Sequence, residues 1–209
     1  MTRENYKLYK KSWIFSKEPH LEKELEQEAV SKLLKSGGVI LRNTYGFDCP
    51  DETSFWFVIK DSFGGMEELS TKMRNQVKKC FKTMRVEQIS SEFLLKNGYE
   101  VYVSAAENYT VKCVAPSREE FEARIRNAGE NHYWGAIDME TERLVAFSLN
   151  YVSDECCEYR TMKAIPEFQK KYAYYGLIYE MNRYYLEELK LKYVSKRPIF
   201  RLDIHFIKI

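Results

Sequence analysis

What the chain is short of narrows its class before any motif is considered. No apolar run approaches the roughly 20 residues a membrane-spanning helix needs, and the opening segment MTRENYKLYKKSW has no apolar core of the kind a secretory signal carries. The expected location is the cytoplasm. The five cysteines, Cys49, Cys80, Cys113, Cys156 and Cys157, are odd in number and scattered apart from one adjacent pair, with no C-x-x-C spacing. That argues against a disulfide framework or a zinc site. On a strand, Cys156 and Cys157 point to opposite faces as small buried hydrophobes. The three histidines, His20, His132 and His205, are dispersed, so no metal site is expected. A charge excess is missing too, since 33 Lys and Arg against 31 Asp and Glu leave a formal +2. There is no global basic field of the kind a duplex nucleic-acid binder carries, and an anion site has to be local.

With 209 residues and 44% hydrophobic content, the chain is long enough for one substantial core. It has no internal repeat and no low-complexity linker. A single domain over 1–209 is expected, with an N-terminal half (1–115) and a sheet and long-helix half (116–209). In EPHLEKELEQEAVSKLLKSGG, residues Leu21, Leu25, Ala29, Leu33 and Leu34 recur at helical spacing and Gly37-Gly38 supplies the stop. GGVILRN and TSFWFVIKD are β-branched and aromatic runs parted by a turn-rich stretch, which suggests two neighbouring strands. From Met66, the series Met66, Leu69, Met73, Val77, Cys80 and Met84 predicts an amphipathic helix, followed by the strand RVEQIS. A helix from Ser91 to about Tyr109, broken or kinked near Asn97-Gly98, comes next. SREEFEARIRNAG is a helix with capping-box spacing at Ser117 and Glu120 and a stop at Gly129.

Three strand-like runs, HYWGAID, RLVAFSLNYV and CCEYRTMKA, are joined by loops of hairpin size and predict an antiparallel meander. Pro166 suits a first helical turn. Phe168, Tyr172, Tyr175, Tyr179, Leu186 and Leu189 then form one apolar stripe of a long helix, before the short strand KYV. The fold class is α+β: a mixed, largely antiparallel sheet flanked by helices.

This order of elements resembles the core of the GNAT acyltransferase superfamily. More narrowly, LSTKMRNQVKKCFKTMRVEQIS is similar to a segment of FemAB-like bacterial GNAT-fold proteins in which an Arg-Asn pair lies in a basic helix before a strand; the resemblance spans about residues 54–194. It implies a third meander strand whose backbone takes a pantetheine arm, and a loop of pattern Q/R-x-x-G-x-G/A whose amides hold the coenzyme A pyrophosphate at a helix N-terminus. Aligned here, that pattern puts Lys171 first, Tyr174 at the first glycine and Gly176 at the second. Tyr174 departs from it by placing a side chain where backbone should approach phosphate. The simpler reading of the segment is the start of an ordinary helix with Tyr172, Tyr175 and Tyr179 in the core. Gln169, Lys170, Lys171 and Gly176 are the cofactor-binding candidates. FemAB-like members, by the same resemblance, use aminoacyl-tRNA donors in some branches and do not depend on that loop.

For chemistry, the resemblance implies a strand-borne glutamate or an ordered water as base and a tyrosine on a later helix as proton donor. Glu158, beside Tyr159 on the third strand, is the best-placed carboxylate, and these two are the catalytic candidates. Arg74, Asn75, Tyr109 and Trp134 are the substrate-binding candidates. Arg74 would grip phosphate bidentately, with Lys72, Lys78, Lys79 and Lys82 as point charges on the same helix. Trp134 also fits a sheet-core anchor, and Asn182 a polar contact inside the long helix. The tail SKRPIFRLDIHFIKI alternates as one strand and lacks the further helix GNAT proteins carry, so a shortened member or a homodimer completing its sheet is expected. The implied function is transfer of an acyl or aminoacyl group from acyl-CoA or aminoacyl-tRNA to an amine, with no permanently bound cofactor and acyl-CoA as co-substrate. The alternative is a catalytically inactive GNAT-fold interaction module. A third reading, non-specific RNA binding through Arg74 and its lysines, predicts strong salt dependence.

Overall fold

The computed structural model describes residues 5–18, 20–47, 58–108, 115–129 and 131–196. The chain divides into two compact units, Met1–Phe57 and Val58–Ile209. Tyr109, Cys49, Cys113 and the alternating tail beyond Lys196 lie outside the described residues.

The first unit is a three-stranded sheet under one helix. Strand β1 (Tyr6–Tyr9) turns into β2 (Ser12–Phe15) through Lys10 and Lys11, both left-handed with φ of 45° and 62°. Helix α1 (Gln27–Lys35) follows, and β3 (Ile40–Arg42) then runs parallel to β2. Tyr6, Trp13, Phe15 and Leu33 form the core. This hairpin carries no Asn-Gly or Asp-Gly signal, which is why the alternation in YKLYKKSWIF gives no strand expectation. The helix is shorter than its apolar spacing suggests: it starts at Gln27, leaving Leu21 exposed, and Gly37 at φ 120° follows its end as expected.

In the second unit, β4 (Val58–Lys60) leads to α2 (Thr71–Thr83), β5 (Met84–Ile89), α3 (Ser91–Glu107), α4 (Arg118–Arg126), β6 (Asn131–Asp138), β7 (Leu144–Val152), β8 (Cys156–Ala164), α5 (Pro166–Lys170), α6 (Ala173–Arg183), a π-helical turn at Tyr184–Glu188 and β9 (Tyr193–Lys196). The sheet order is β4-β9-β8-β7-β6-β5, antiparallel throughout except for the parallel β8–β9 pair. The α+β class and the three-stranded meander hold. Among the described residues, β3 of GGVILRN pairs with β2, whereas β4 of TSFWFVIKD pairs with β9. Helix α2 begins after its Ser70 cap rather than at Met66; Met66 to Leu69 form a turn, with Leu69 N–H donating to Met66 O. Helix α3 runs unbroken through Gly98. That glycine is buried mid-helix, where a Cβ would sit 2.5 Å from Leu94 Cδ1 and 3.1 Å from Phe121 of α4, so the close helix approach requires its missing side chain.

Cores lie on both sides of the sheet. Cys80, Met84, Trp134, Cys157, Tyr159, Met162, Leu177, Met181 and Tyr185 fill the side of α2 and α6, and Leu94, Val101, Phe121, Ile125, Tyr133 and Phe147 fill the side of α3 and α4. The single long helix expected from Pro166 is interrupted at Tyr172, which is left-handed at φ 69°, and again by the π-helical turn. These two breaks shift the helical phase. The buried face of α6 is Ala173, Gly176, Leu177 and Met181, while Tyr172, Tyr175 and Tyr179 are only half-buried and Leu189 is exposed. Gly176 explains the choice of small residues: a Cβ there would lie 2.3 Å from Cys80 Sγ, so α6 and α2 pack at a distance only glycine permits.

Candidate functional site

Strand β8 carries the irregularity that shapes the site. Leu149 is opposite Thr161 but Asn150 is opposite Tyr159, so Arg160 is an extra, bulged residue. The bulge has a packing consequence. Cys157 and Tyr159 before it and Met162 and Ala164 after it all belong to the same core cluster; with strict alternation, Met162 and Ala164 would face the opposite way. On its other edge β8 pairs with β9 over Cys156–Tyr193, Cys157–Val194 and Glu158–Ser195. Among the described residues that ladder ends at Glu158–Ser195, and β8 runs on to Ala164.

Polar side chains gather where the two strands part. The Tyr159 hydroxyl, on a ring only 5% exposed, donates to Asn182 Oδ1 of α6 at 2.8 Å. Burial holds its phenol well above the ordinary range, so it stays protonated. Lys196, at the end of β9, is 8% exposed, with Nζ 3.6 Å from Met162 Sδ. Its burial lowers the amine from 10.5 to about 8. Ser195 Oγ is buried without a hydrogen-bond partner among the described residues. Glu158 is opposite Ser195 and pairs with Arg160 at 3.0 Å, its side chain 12% exposed. Arg160 in turn stacks over Tyr151, 4.2 Å from the ring centroid.

A buried network supports this wall. Trp134 Nε1 donates to the Tyr185 hydroxyl at 3.0 Å and Asn150 Nδ2 donates to it at 3.2 Å, while Ser148 Oγ donates to Asn150 Oδ1 at 2.6 Å. Tyr185 also hydrogen-bonds Cys157, whose thiol is pushed well up by burial. His132 stacks on Tyr185 with 5.8 Å between centroids; burial lowers its pKa, and Nδ1 has no partner among the described residues.

The expected site residues fall in different places. Glu158 and Tyr159 are adjacent on β8 and so point to opposite faces; Tyr159 shares its side with Lys196, which contacts Met162 of the same cluster. Gln169 is tied to the end of β8, its Nε2 donating to Ala164 O at 3.0 Å. Lys170 is exposed, and Lys171 pairs with Glu167 at 3.2 Å and lies over Phe168. Gly176 is inside, against Cys80. The amides of Lys171, Tyr172, Tyr175 and Gly176 all donate to nearby backbone carbonyls. The four cofactor candidates therefore do not surround one point. Arg74 closes the turn before α2, with Nε donating to Met66 O at 3.0 Å and Nη2 to Leu69 O at 3.4 Å, while Asn75 is exposed. Trp134 is a core anchor. The polar contact expected of Asn182 is the one with Tyr159.

Lys196, Asn150 and Tyr185 were not singled out from the sequence. Their signal was there in alternation: Lys196 follows Val194 by two and Asn150 follows Ser148 by two, which puts both pairs on a common inward face. One exposed lysine of α2 approaches the start of α6, where Lys79 Nζ is 5.9 Å from the Tyr172 ring. At the opposite edge of the sheet, a separate cavity of about 540 Å³ is lined by residues that include Gln88, Ser90, Glu92, Arg126 and His132.

No protein-family model and no curated protein matches the chain. Solved structures do. FemX matches with a TM-score of 0.59 at 12% identity, over 95% of this chain and 77% of FemX. The C-terminal domain (DUF2156) of a putative lysylphosphatidylglycerol synthetase from Agrobacterium fabrum matches with a TM-score of 0.56 at 10% identity, over 91% of this chain and 65% of that one. The chain has a GNAT-like fold. Strand β8 is the third strand of the β6–β7–β8 meander. At these identities the likeness is one of fold. No helix among the described residues is long and apolar enough to cross a membrane.

Proposed function

We propose that Val58–Ile209 is an acyltransferase-like module of FemAB type, with its reacting centre where β8 and β9 part. The observation that carries this reading is the bulge at Arg160 beside a β8 edge that continues past its ladder with β9, flanked by Tyr159–Asn182 and the buried amine of Lys196. Attack of an amine on an acyl carbonyl develops an oxyanion and then expels a thiolate or alkoxide that needs a proton. In this reading the backbone at the bulge, where Arg160 is left out of the β7 register, supplies a donor for the oxyanion. Lys196, with a pKa near 8, in its neutral form takes the proton the attacking amine loses and hands it to the leaving group. Tyr159, protonated and locked onto Asn182, positions the acyl end, and Glu158, on the opposite face of β8 and paired with Arg160, stays outside this proton path.

The donor in this reading carries phosphate, as acyl-CoA or aminoacyl-tRNA, and the acceptor is an amine. Lys79 from α2 and Lys171 from the α5–α6 turn bring positive charge to the same end of α6, where the helix dipole adds to their field. Reversing both charges, Lys79→Glu with Lys171→Glu, is expected to weaken binding of CoA or of aminoacyl-tRNA by about tenfold or more, because each contact is a screened ion interaction. Titration calorimetry with CoA and filter binding with aminoacyl-tRNA provide the check. Failure of the wild type to bind either donor defeats the proposal and leaves the interaction-module alternative; binding unaffected by the two reversals removes the phosphate site.

A further inference from the structure

The first unit has a polarity that the acyltransferase reading does not use. Its five described carboxylates, Glu18, Glu22, Glu24, Glu26 and Glu28, lie on the loop after β2 and at the beginning of α1. That loop is fastened to the far end of β3: Asn43 Nδ2 donates to Lys23 O, and Phe47 N–H donates to Glu22. Helix α1 then runs back toward the β1–β2 turn, where Val39 N–H donates to Lys11 O at 2.8 Å. The turn end receives Lys10, Lys11 and, from the last turn of α1, Lys35, all exposed. No acidic residue occurs from Asn5 to Lys17.

Among those lysines sit three exposed apolar side chains. Val39 is 71% exposed, Tyr9 56% and Ile40 54%. Register places Tyr9 opposite Ser12 and Ser12 opposite Ile40, one row across all three strands. The turn itself is unusual. Both central residues have positive φ, a conformation that Asn-Gly adopts without strain and lysine does not, yet lysine occupies both places. Backbone strain held at an exposed position is a pointer to function rather than to stability.

We propose that this end of the first unit docks on an anionic lipid bilayer, with Tyr9, Val39 and Ile40 entering the headgroup boundary and Lys10, Lys11 and Lys35 engaging the surface charge. An amphipathic tyrosine beside branched aliphatics suits that boundary, and lysines near it gain from the negative surface potential. The cations are lysines acting as point charges rather than guanidinium forks arranged for bidentate recognition, which favours a diffuse charged surface over a specific partner. The proposal is independent of the acyltransferase site.

The test is vesicle flotation of the full chain with equimolar phosphatidylserine and phosphatidylcholine, against phosphatidylcholine alone. Binding is expected to the anionic vesicles, to fall with salt, and to drop by about tenfold or more in Lys10→Glu/Lys11→Glu. Tyr9→Ser/Val39→Ser, which leaves the charge unchanged, is expected to reduce it as well. Lys10→Asn/Lys11→Gly supplies a folding control, since it should raise the melting temperature while lowering vesicle binding. Absence of binding to anionic vesicles at low salt, binding unchanged in these variants, or equal loss of binding to a duplex RNA probe with no lipid preference would overturn the proposal.

Discussion

Tyr185→Phe is expected to lower the unfolding free energy by about 2 kcal/mol, although the change removes one oxygen and keeps the ring. Tyr185 has no solvent exposure, and its hydroxyl accepts hydrogen bonds from Trp134 Nε1 and Asn150 Nδ2 at 3.0 and 3.2 Å. Deleting it leaves the buried Trp134 donor without its acceptor and Asn150 Nδ2 with only the weak acceptor Met181 Sδ at 3.1 Å, and an orphaned buried donor costs roughly 1–3 kcal/mol. Tyr184, half-exposed beside it, provides the contrast, since Tyr184→Phe should stay within about 0.5 kcal/mol of wild type. Urea unfolding at constant m value measures both. Adding Trp134→Phe to Tyr185→Phe should cost less than the sum of the two single changes, because one broken hydrogen bond would otherwise be counted twice. A neutral Tyr185→Phe would mean the network is not formed.

The second large effect is on pH. Between about pH 8 and 10.5, wild type is expected to gain stability relative to Lys196→Met. Burial lowers the folded-state pKa of Lys196 to about 8 from 10.5, so the unfolded chain holds that proton more tightly. Below pH 8 both states are protonated and the cost of burying the ammonium is constant. As pH rises past 8, the folded state releases its proton first and stability climbs, by up to about 1.4 kcal/mol per pH unit, until the unfolded state also deprotonates near 10.5. The curve for Lys196→Met lacks this rise. If the amine serves the leaving group, kcat/KM of wild type changes through the same region near pH 8, and Lys196→Arg does not restore it because guanidinium stays charged. Parallel stability curves for wild type and Lys196→Met would refute the assignment.

Much of the second unit was legible because its signals are local. Ser117 and Glu120 form the capping box that their spacing announces, and the meander strands are separated by short polar loops. What was not legible depended on register and phase. The bulge at Arg160 leaves no mark in CCEYRTMKA, and it decides which side chains share a face with Lys196. The left-handed Tyr172 and the π-helical turn break one apparent stripe into pieces, so the tyrosines of that stripe moved to the flanks and Gly176, expected at phosphate, packs against Cys80 instead. Arg74 shows the same limit for charge: its guanidinium serves the carbonyls of its own turn. The hairpin of the first unit was hidden by its lysine turn, and pairing of β4 with β9 joins residues far apart in sequence, which periodicity cannot convey.

The central claim is that the donor lies along β8 beyond its ladder with β9. Amide chemical-shift mapping on isotopically labelled protein tests it most directly, with CoA and then aminoacyl-tRNA added stepwise. The account predicts shifts confined to Tyr159–Ala164, Tyr172–Gly176 and Lys196, with Gln88–Glu92 at the separate cavity unmoved. Shifts centred on Gln88–Glu92 with β8 silent, or none with either donor, would contradict it.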